Sequence, residues 1–249
     1  MISRSLESMD QWRAPPGLRA ILFDKDGTII DYDATWGPVN RRAAALASAG
    51  DAELEARILA ACGMNAATGK TAGGSVFAAG NAADIAGRMI EAGSTFDAAG
   101  LTRALDEIFT STADAVVPLA DVRSLFSELV QTGFALGVAT SDNEASARIT
   151  MEVLGVADRL DFICGYDSGH GAKPEPGMLH AFCRSVGCKP HEVAMVGDNT
   201  HDLDMGRAAG AGAVIAVLSG TGSHDVLASI ADVCLPDISH LPRVLKRQD

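Results

Sequence analysis

A surplus of basic residues is absent from this chain: 20 Lys and Arg stand against 32 Asp and Glu, for a formal net charge of −12. Such a balance repels polyphosphate backbones and anionic bilayers, and no local basic patch offsets it, so neither nucleic acid nor a membrane surface is an expected partner. A small anion held together with a metal ion remains compatible. Long apolar runs are missing too. Residues 1–17 mix acids and bases without a signal-peptide core, and the longest apolar stretch, about 208–218, is broken by glycines and too short to cross a bilayer. The expectation is a soluble, cytoplasmic protein. The five cysteines, Cys62, Cys164, Cys183, Cys188 and Cys234, contain no CxxC pair and are odd in number. That fits reduced, buried thiols and disfavours a disulfide framework or a zinc site. Internal repeats are also lacking, and the glycines of residues 69–74 neither follow a strand nor show the GxxxxGK[ST] spacing of a phosphate loop. What remains is 249 residues with 47% hydrophobic content, which excludes a disordered chain and suffices for one large core or a core with an inserted module.

Pro15-Pro16-Gly17 punctuates the entry to a first apolar run, residues 18–24. Further short apolar runs at 134–140, 162–165, 193–197 and 213–218 read as strands buried on both faces. Between them, residues 121–131, 144–154, 177–186 and 201–209 carry apolar side chains at helical spacing, several followed by a glycine where a helix would stop. Alternating strands and helices predict an α/β fold built on a doubly wound parallel sheet. Residues 32–118 break the rhythm. They hold alanine-rich helical patterns at 39–49, 52–61, 82–90 and 98–110 around a glycine-rich loop at 63–80, and predict an inserted α-helical cap able to close as a lid. The expected organisation is therefore a tail at 1–17, an α/β core at 18–31 and 119–249, and a helical cap at 32–118.

The chemistry concentrates at strand ends. Asp24 and Asp26 follow Ile21-Leu22-Phe23 and precede Gly27-Thr28; two acids two residues apart are costly inside a strand without a cation or proton to offset them. They belong at its C-terminal end, where ligands bind in an open α/β sheet. Thr140-Ser141 ends the next strand and leads into a helix near Asn143, offering a hydroxyl and free amides to an anion, though the same pattern serves as an ordinary helix cap. Lys173-Pro174 places one ammonium in a loop stiffened by Pro174 and Pro176. Asp198 and Asp202 follow the strand that ends at Gly197. Carboxylate oxygens without thiol or imidazole at ligand spacing point to Mg²⁺, which takes few protein oxygens plus waters and a phosphate. Such a site is suited to phosphoryl transfer, with a carboxylate attacking phosphorus and a second acid two residues on handling the leaving-group proton.

Asp24-Lys25-Asp26-Gly27-Thr28, Thr140, Lys173 before Pro174, and Gly197-Asp198 with Asp202 resemble, in order and approximate spacing, the four motifs of haloacid dehalogenase superfamily phosphatases, over about residues 18–249. The resemblance implies Asp24 as nucleophile and metal ligand, and Asp26 as general acid/base whose backbone carbonyl also meets the metal. It implies Asp198 as the third protein ligand, Asp202 one step further out, and Thr140, the Ser141 amide and Lys173 as phosphate-holding groups. The position of the helical insertion is similar to the subgroup of phosphoglycolate phosphatases, β-phosphoglucomutases and phosphonoacetaldehyde hydrolases. The implied reaction is Mg²⁺-dependent hydrolysis of a small phosphorylated metabolite, 2-phosphoglycolate first among candidates. Alternatives are a phosphonatase using Lys70 as Schiff-base lysine, a phosphomutase and a non-catalytic binding protein; an acid at position 26 argues against carbon–halogen cleavage. Tyr32 and Trp36 are placed either in the substrate pocket or in the cap's core. His170 and His201 read as loop or helix-start residues. Monomer and homodimer are left open.

Overall fold

The computed structural model describes residues 11–112 and 114–245. The first ten residues of the expected tail and the last four of the expected core lie outside the described residues.

Six strands, β1 (Ala20–Phe23), β2 (Ala135–Ala139), β3 (Phe162–Cys164), β4 (Val193–Gly197), β5 (Ala213–Val217) and β6 (Val233–Leu235), form one sheet in the order β3-β2-β1-β4-β5-β6, every pair parallel. This is the doubly wound α/β arrangement that the alternating runs predict. Strand order reverses between β1 and β4, so the crevice beyond their carboxyl ends is the natural ligand position. Register is fixed by Ile21 opposite Leu136 on one side and Ala194 on the other. Since strand side chains alternate, Ile21 and Phe23 share one face with Val138, Val196 and Ile215, while Ala20 and Leu22 share the other with Met195.

Helices cover both faces, which is why the strands read as unbroken apolar runs rather than alternating ones. Eleven α-helices are described: α1 (Tyr32–Ala47), α2 (Ala52–Ala61), α3 (Val76–Ala79), α4 (Ala82–Glu91), α5 (Ala98–Thr112), α6 (Val122–Gln131), α7 (Glu144–Val153), α8 (Gly177–Val186), α9 (Thr200–Ala209), α10 (His224–Leu227) and α11 (Leu241–Val244). Val122 and Phe126 of α6, Met151 of α7 and Leu241 of α11 pack on the Phe23 face. Met178 and Phe182 of α8 and Met205 of α9 pack on the Leu22 face. Helices α1 to α5 have an apolar core of their own, built from Val39, Ile58, Ile85, Met89, Leu101 and Leu105 among others.

The loop expected at 63–80 is not all loop, since residues 76–79 form the short helix α3. The helical pattern expected at 39–49 begins seven residues earlier, at Tyr32, and runs through Pro38. Proline normally ends a helix, but here Asp31 caps the first turn through the Ala34 amide, and buried Tyr32 and Trp36, four apart on one face, hold the turns before Pro38 in place. Strand β6 is not among the runs expected from the sequence.

Candidate active site

The Asp24 amide donates to the Val196 carbonyl at 2.8 Å, extending the β1–β4 ladder by one bond and setting the Asp24 carboxyl at the mouth of the crevice. The chain then turns sharply: the amides of Ile29 and Ile30 return to the Lys25 carbonyl, and Gly27 adopts φ +88°. A Cβ at Gly27 would lie 2.6–2.9 Å from the Asp198 carboxylate, so the turn needs glycine for its backbone and for its space. Asp198 itself is held from both sides. Its Oδ1 accepts from Thr28 Oγ1 at 3.3 Å, and its Oδ2 accepts from the Thr221 amide at 2.8 Å.

Asp202 sits in the first turn of α9 because Asn199 and Asp202 form a capping box. One Asp202 oxygen takes the Asn199 amide at 3.0 Å; the other takes Lys173 Nζ at 2.6 Å. Lys173, in the loop after β3, also reaches Asp24 Oδ1 at 2.5 Å. One ammonium therefore bridges the acids that two different strands deliver. Asp24, Asp198 and Asp202 are all buried and each offers an oxygen within 4.8 Å of the others. The donor set is carboxylate only, which fits a hard divalent cation such as Mg²⁺. Burial and the neighbouring Asp202 charge push the Asp24 carboxyl up to about 7, against the lowering pull of Lys173. Burial and Asp24 likewise raise Asp198 well above the ordinary value of an aspartate. Like charges converging in a dry site are what a cation would relieve.

Asp26 is gripped from three directions. Trp36 Nε1 donates to its Oδ1, Lys25 Nζ lies 3.0 Å from the same oxygen, and Thr140 Oγ1 donates to Oδ2 at 3.2 Å. Lys25 is 1% exposed and also binds Asp142 Oδ2 at 2.9 Å, with its ammonium 5.1 Å from the centre of the Trp36 ring. Burial disfavours that charge, but Asp142 and Asp26 outweigh burial and hold Lys25 above its ordinary value. Sequence reasoning passed over Lys25 as the spacer between two acids and did not single out Asp142. A lysine at the end of a buried strand demands counter-charge, which was the available signal. Asp142 gave none, since its partner lies 117 residues away.

A cavity of about 560 Å³, counting its open mouth, joins the acids to the helical unit. Asp24, Asp26, Ser141, Asp198, Asp202 and His201 line the floor, and Tyr32, Trp36, Asn40, Phe77, Ile85 and Phe109 line the roof. Thr140 and Lys173 do not line it: Thr140 is fully buried between Asp26 and the Asp142 amide, and Lys173 lies behind Asp24. The Ala79 carbonyl links the two parts, accepting from Ser141 Oγ at 3.3 Å and sitting 3.3 Å from His201 Nδ1. His170 packs beside Phe162, outside the cavity. Lys70 is exposed and paired with Asp33 at 2.8 Å; the structure does not bring it to the acids.

The haloacid dehalogenase-like hydrolase model matches residues 18–210, a span from β1 through α9 that carries all four motifs. The chain belongs to that family. Among relatives of this hydrolase, a phosphoglycolate phosphatase of Rhodospirillum rubrum is 30% identical over 222 residues, covering 88% of this chain and 87% of its own. Another, from Photorhabdus laumondii, is 26% identical over 234 residues, covering 90% and 91%. Among solved structures, CbbY from Rhodobacter sphaeroides in complex with phosphate superposes with a TM-score of 0.66 at 22% identity over 90% of this chain and 96% of that one, a likeness of fold. Family membership makes the protein an enzyme of the hydrolase class. Among the described residues no helix is long and apolar enough to cross a membrane.

Proposed function

We propose that the protein is a Mg²⁺-dependent phosphomonoesterase that cleaves a small phosphorylated metabolite through an aspartyl-phosphate on Asp24. The observation carrying this reading is the meeting of Asp24, Asp198 and Asp202 around Lys173, with Asp26 two residues from Asp24 and turned to the same cavity. Asp24 and Asp198, with Asp202 beside them and the Asp26 carbonyl, would hold the ion. When bound, the cation supplies charge neutralisation for the anionic phosphoryl group and for the carboxylates it approaches.

The remaining work falls to the chain. The Asp24 carboxylate attacks phosphorus in line, forming an O–P bond as the ester O–P bond breaks. Asp26 gives its proton to the departing alcohol oxygen, then takes one from the water that hydrolyses the acyl phosphate, releasing inorganic phosphate and restoring Asp24. Lys173, fixed between Asp24 and Asp202, balances charge on the phosphoryl oxygens, and the Ser141 amide and hydroxyl at the start of α7 face the same group. Trp36, Lys25 and Thr140 keep Asp26 in reach of the leaving oxygen. The helical unit limits water around the acyl phosphate.

Phosphate release from a panel of monoesters, with Mg²⁺ and with chelator, tests the reading. Turnover should require the ion and fall at least about a thousandfold in Asp24→Asn, as expected for loss of a nucleophile acting within a catalytic unit. Undiminished turnover of metal-free protein in excess chelator would refute it. 2-Phosphoglycolate belongs in the panel because relatives carry its name.

A further inference from the structure

The half of the cavity that would receive the alcohol part of a substrate is built from Trp36, Phe77, Ala82, Ile85 and Phe109, with Asn40 and the Tyr32 hydroxyl as its neutral polar groups. Tyr32 Oη already donates to the Phe77 carbonyl and lies 3.4 Å from Asn40 Nδ2. Among the described residues no lysine or arginine lines this cavity. The cations of the helical unit, Arg41, Arg42, Arg57, Lys70, Arg88 and Arg103, are all exposed. Arg41 binds the Ala66 carbonyl, Arg42 reaches Ser111, Lys70 pairs with Asp33, and Arg88 pairs with Glu91.

The floor offers no spare positive charge either. Lys173 is held between Asp24 and Asp202, and Lys25 between Asp26 and Asp142. With Asp198 there are five carboxyl groups against two ammoniums; with Asp26 holding the proton it gives to the leaving alcohol, a divalent ion only brings the site to neutrality and leaves no surplus positive charge before the phosphate arrives. A second anionic group on the substrate would be buried among aromatic and aliphatic side chains without a partner, which strongly disfavours it. An uncharged organic group would instead bury its own apolar surface against Phe77, Ile85 and Phe109.

We propose that the substrates of this enzyme are phosphomonoesters of uncharged, largely apolar alcohols, aryl-bearing ones included, and that phosphorylated carboxylic acids and bisphosphates are disfavoured. This rests on the phosphomonoesterase reading above. The one further basic group at the cavity is His201, whose Nδ1 is turned to the Ala79 carbonyl at 3.3 Å, so it already has a neutral acceptor.

Matched pairs test the inference on the full-length protein with Mg²⁺: benzyl phosphate against 4-carboxybenzyl phosphate, and 2-hydroxyethyl phosphate against 2-phosphoglycolate, each assayed at pH 6 and pH 8 with Asp24→Asn as blank. The neutral member of each pair should show kcat/KM higher by about tenfold or more, since the added carboxylate meets no cation. In Phe77→Ala the advantage of benzyl over 2-hydroxyethyl phosphate should shrink by about tenfold, reflecting lost contact area with the ring. Equal or better turnover of the carboxylates at either pH overturns the inference while leaving the phosphatase reading intact. Absence of Asp24-dependent release from every compound overturns both.

Discussion

Lys25 occupies the position that a sequence reader treats as filler, yet the structure buries its ammonium between Asp26 and Asp142. Replacing it with an apolar residue would strand Asp142, whose carboxyl is already raised by burial. Lys25→Met should therefore lower unfolding free energy by about 3–5 kcal/mol, the usual cost of breaking a buried pair by removing one partner. Adding Asp142→Asn should restore part of that loss, and urea denaturation of the single and double variants checks it; additive losses would refute the pairing. Gly27 makes a different demand. In Gly27→Ala the methyl group collides with the Asp198 carboxylate, and turnover should fall by at least about tenfold because misplacing a catalytic group by even an ångström is costly. Asp24, Asp26, Thr140, Ser141, Lys173, Asp198 and Asp202 could each be picked from the sequence, because a polar residue after an apolar run is visible locally. Lys25 with Asp142, and Trp36 with Asp26, could not, since each pairing depends on contacts between separate segments.

At the scale of elements, strand ends and helix starts do the positioning. The Asn199–Asp202 capping box starts α9 and at the same time aims Asp202 at Lys173. Asn199→Ala should cost about 1 kcal/mol as an N-cap loss, visible as a melting-point drop of roughly 2–4 °C for a chain of this size. It should reduce turnover more than a distant cap substitution of equal stability cost, such as Asp51→Ala at the start of α2; equal activities would mean that the box serves the helix alone. The parallel sheet was legible because strands buried on both faces leave unbroken apolar runs. Helix α1 is only half legible because Pro38 hides a continuation that only packing by Tyr32 and Trp36 sustains.

For the whole molecule, the decisive balance is between converging carboxylates and the cation they fit. Burial, Asp202 and Asp26 raise the Asp24 carboxyl to about 7 in the metal-free protein. A raised acid favours the neutral form in the fold. Its contribution to stability is thus present below about pH 4, the ordinary range of an aspartate, and lost as pH rises through about 7. Mg²⁺ requires the ionised carboxylate, so its affinity should climb over the same window. Saturating Mg²⁺ should raise the melting temperature more at pH 8 than at pH 6, as thermal denaturation with and without chelator would show; an equal or smaller gain at pH 8 would contradict the raised Asp24. By itself the sequence determined the fold class, the alternation of strands and helices, and the acids and lysine in the segments that follow the strands, because periodicity and residue type act over a few neighbours. Only the tertiary structure decided which charges pair, that Lys70 stays in solvent and that the cavity roof is neutral and apolar, because those facts depend on which distant residues the packing of two cores brings face to face.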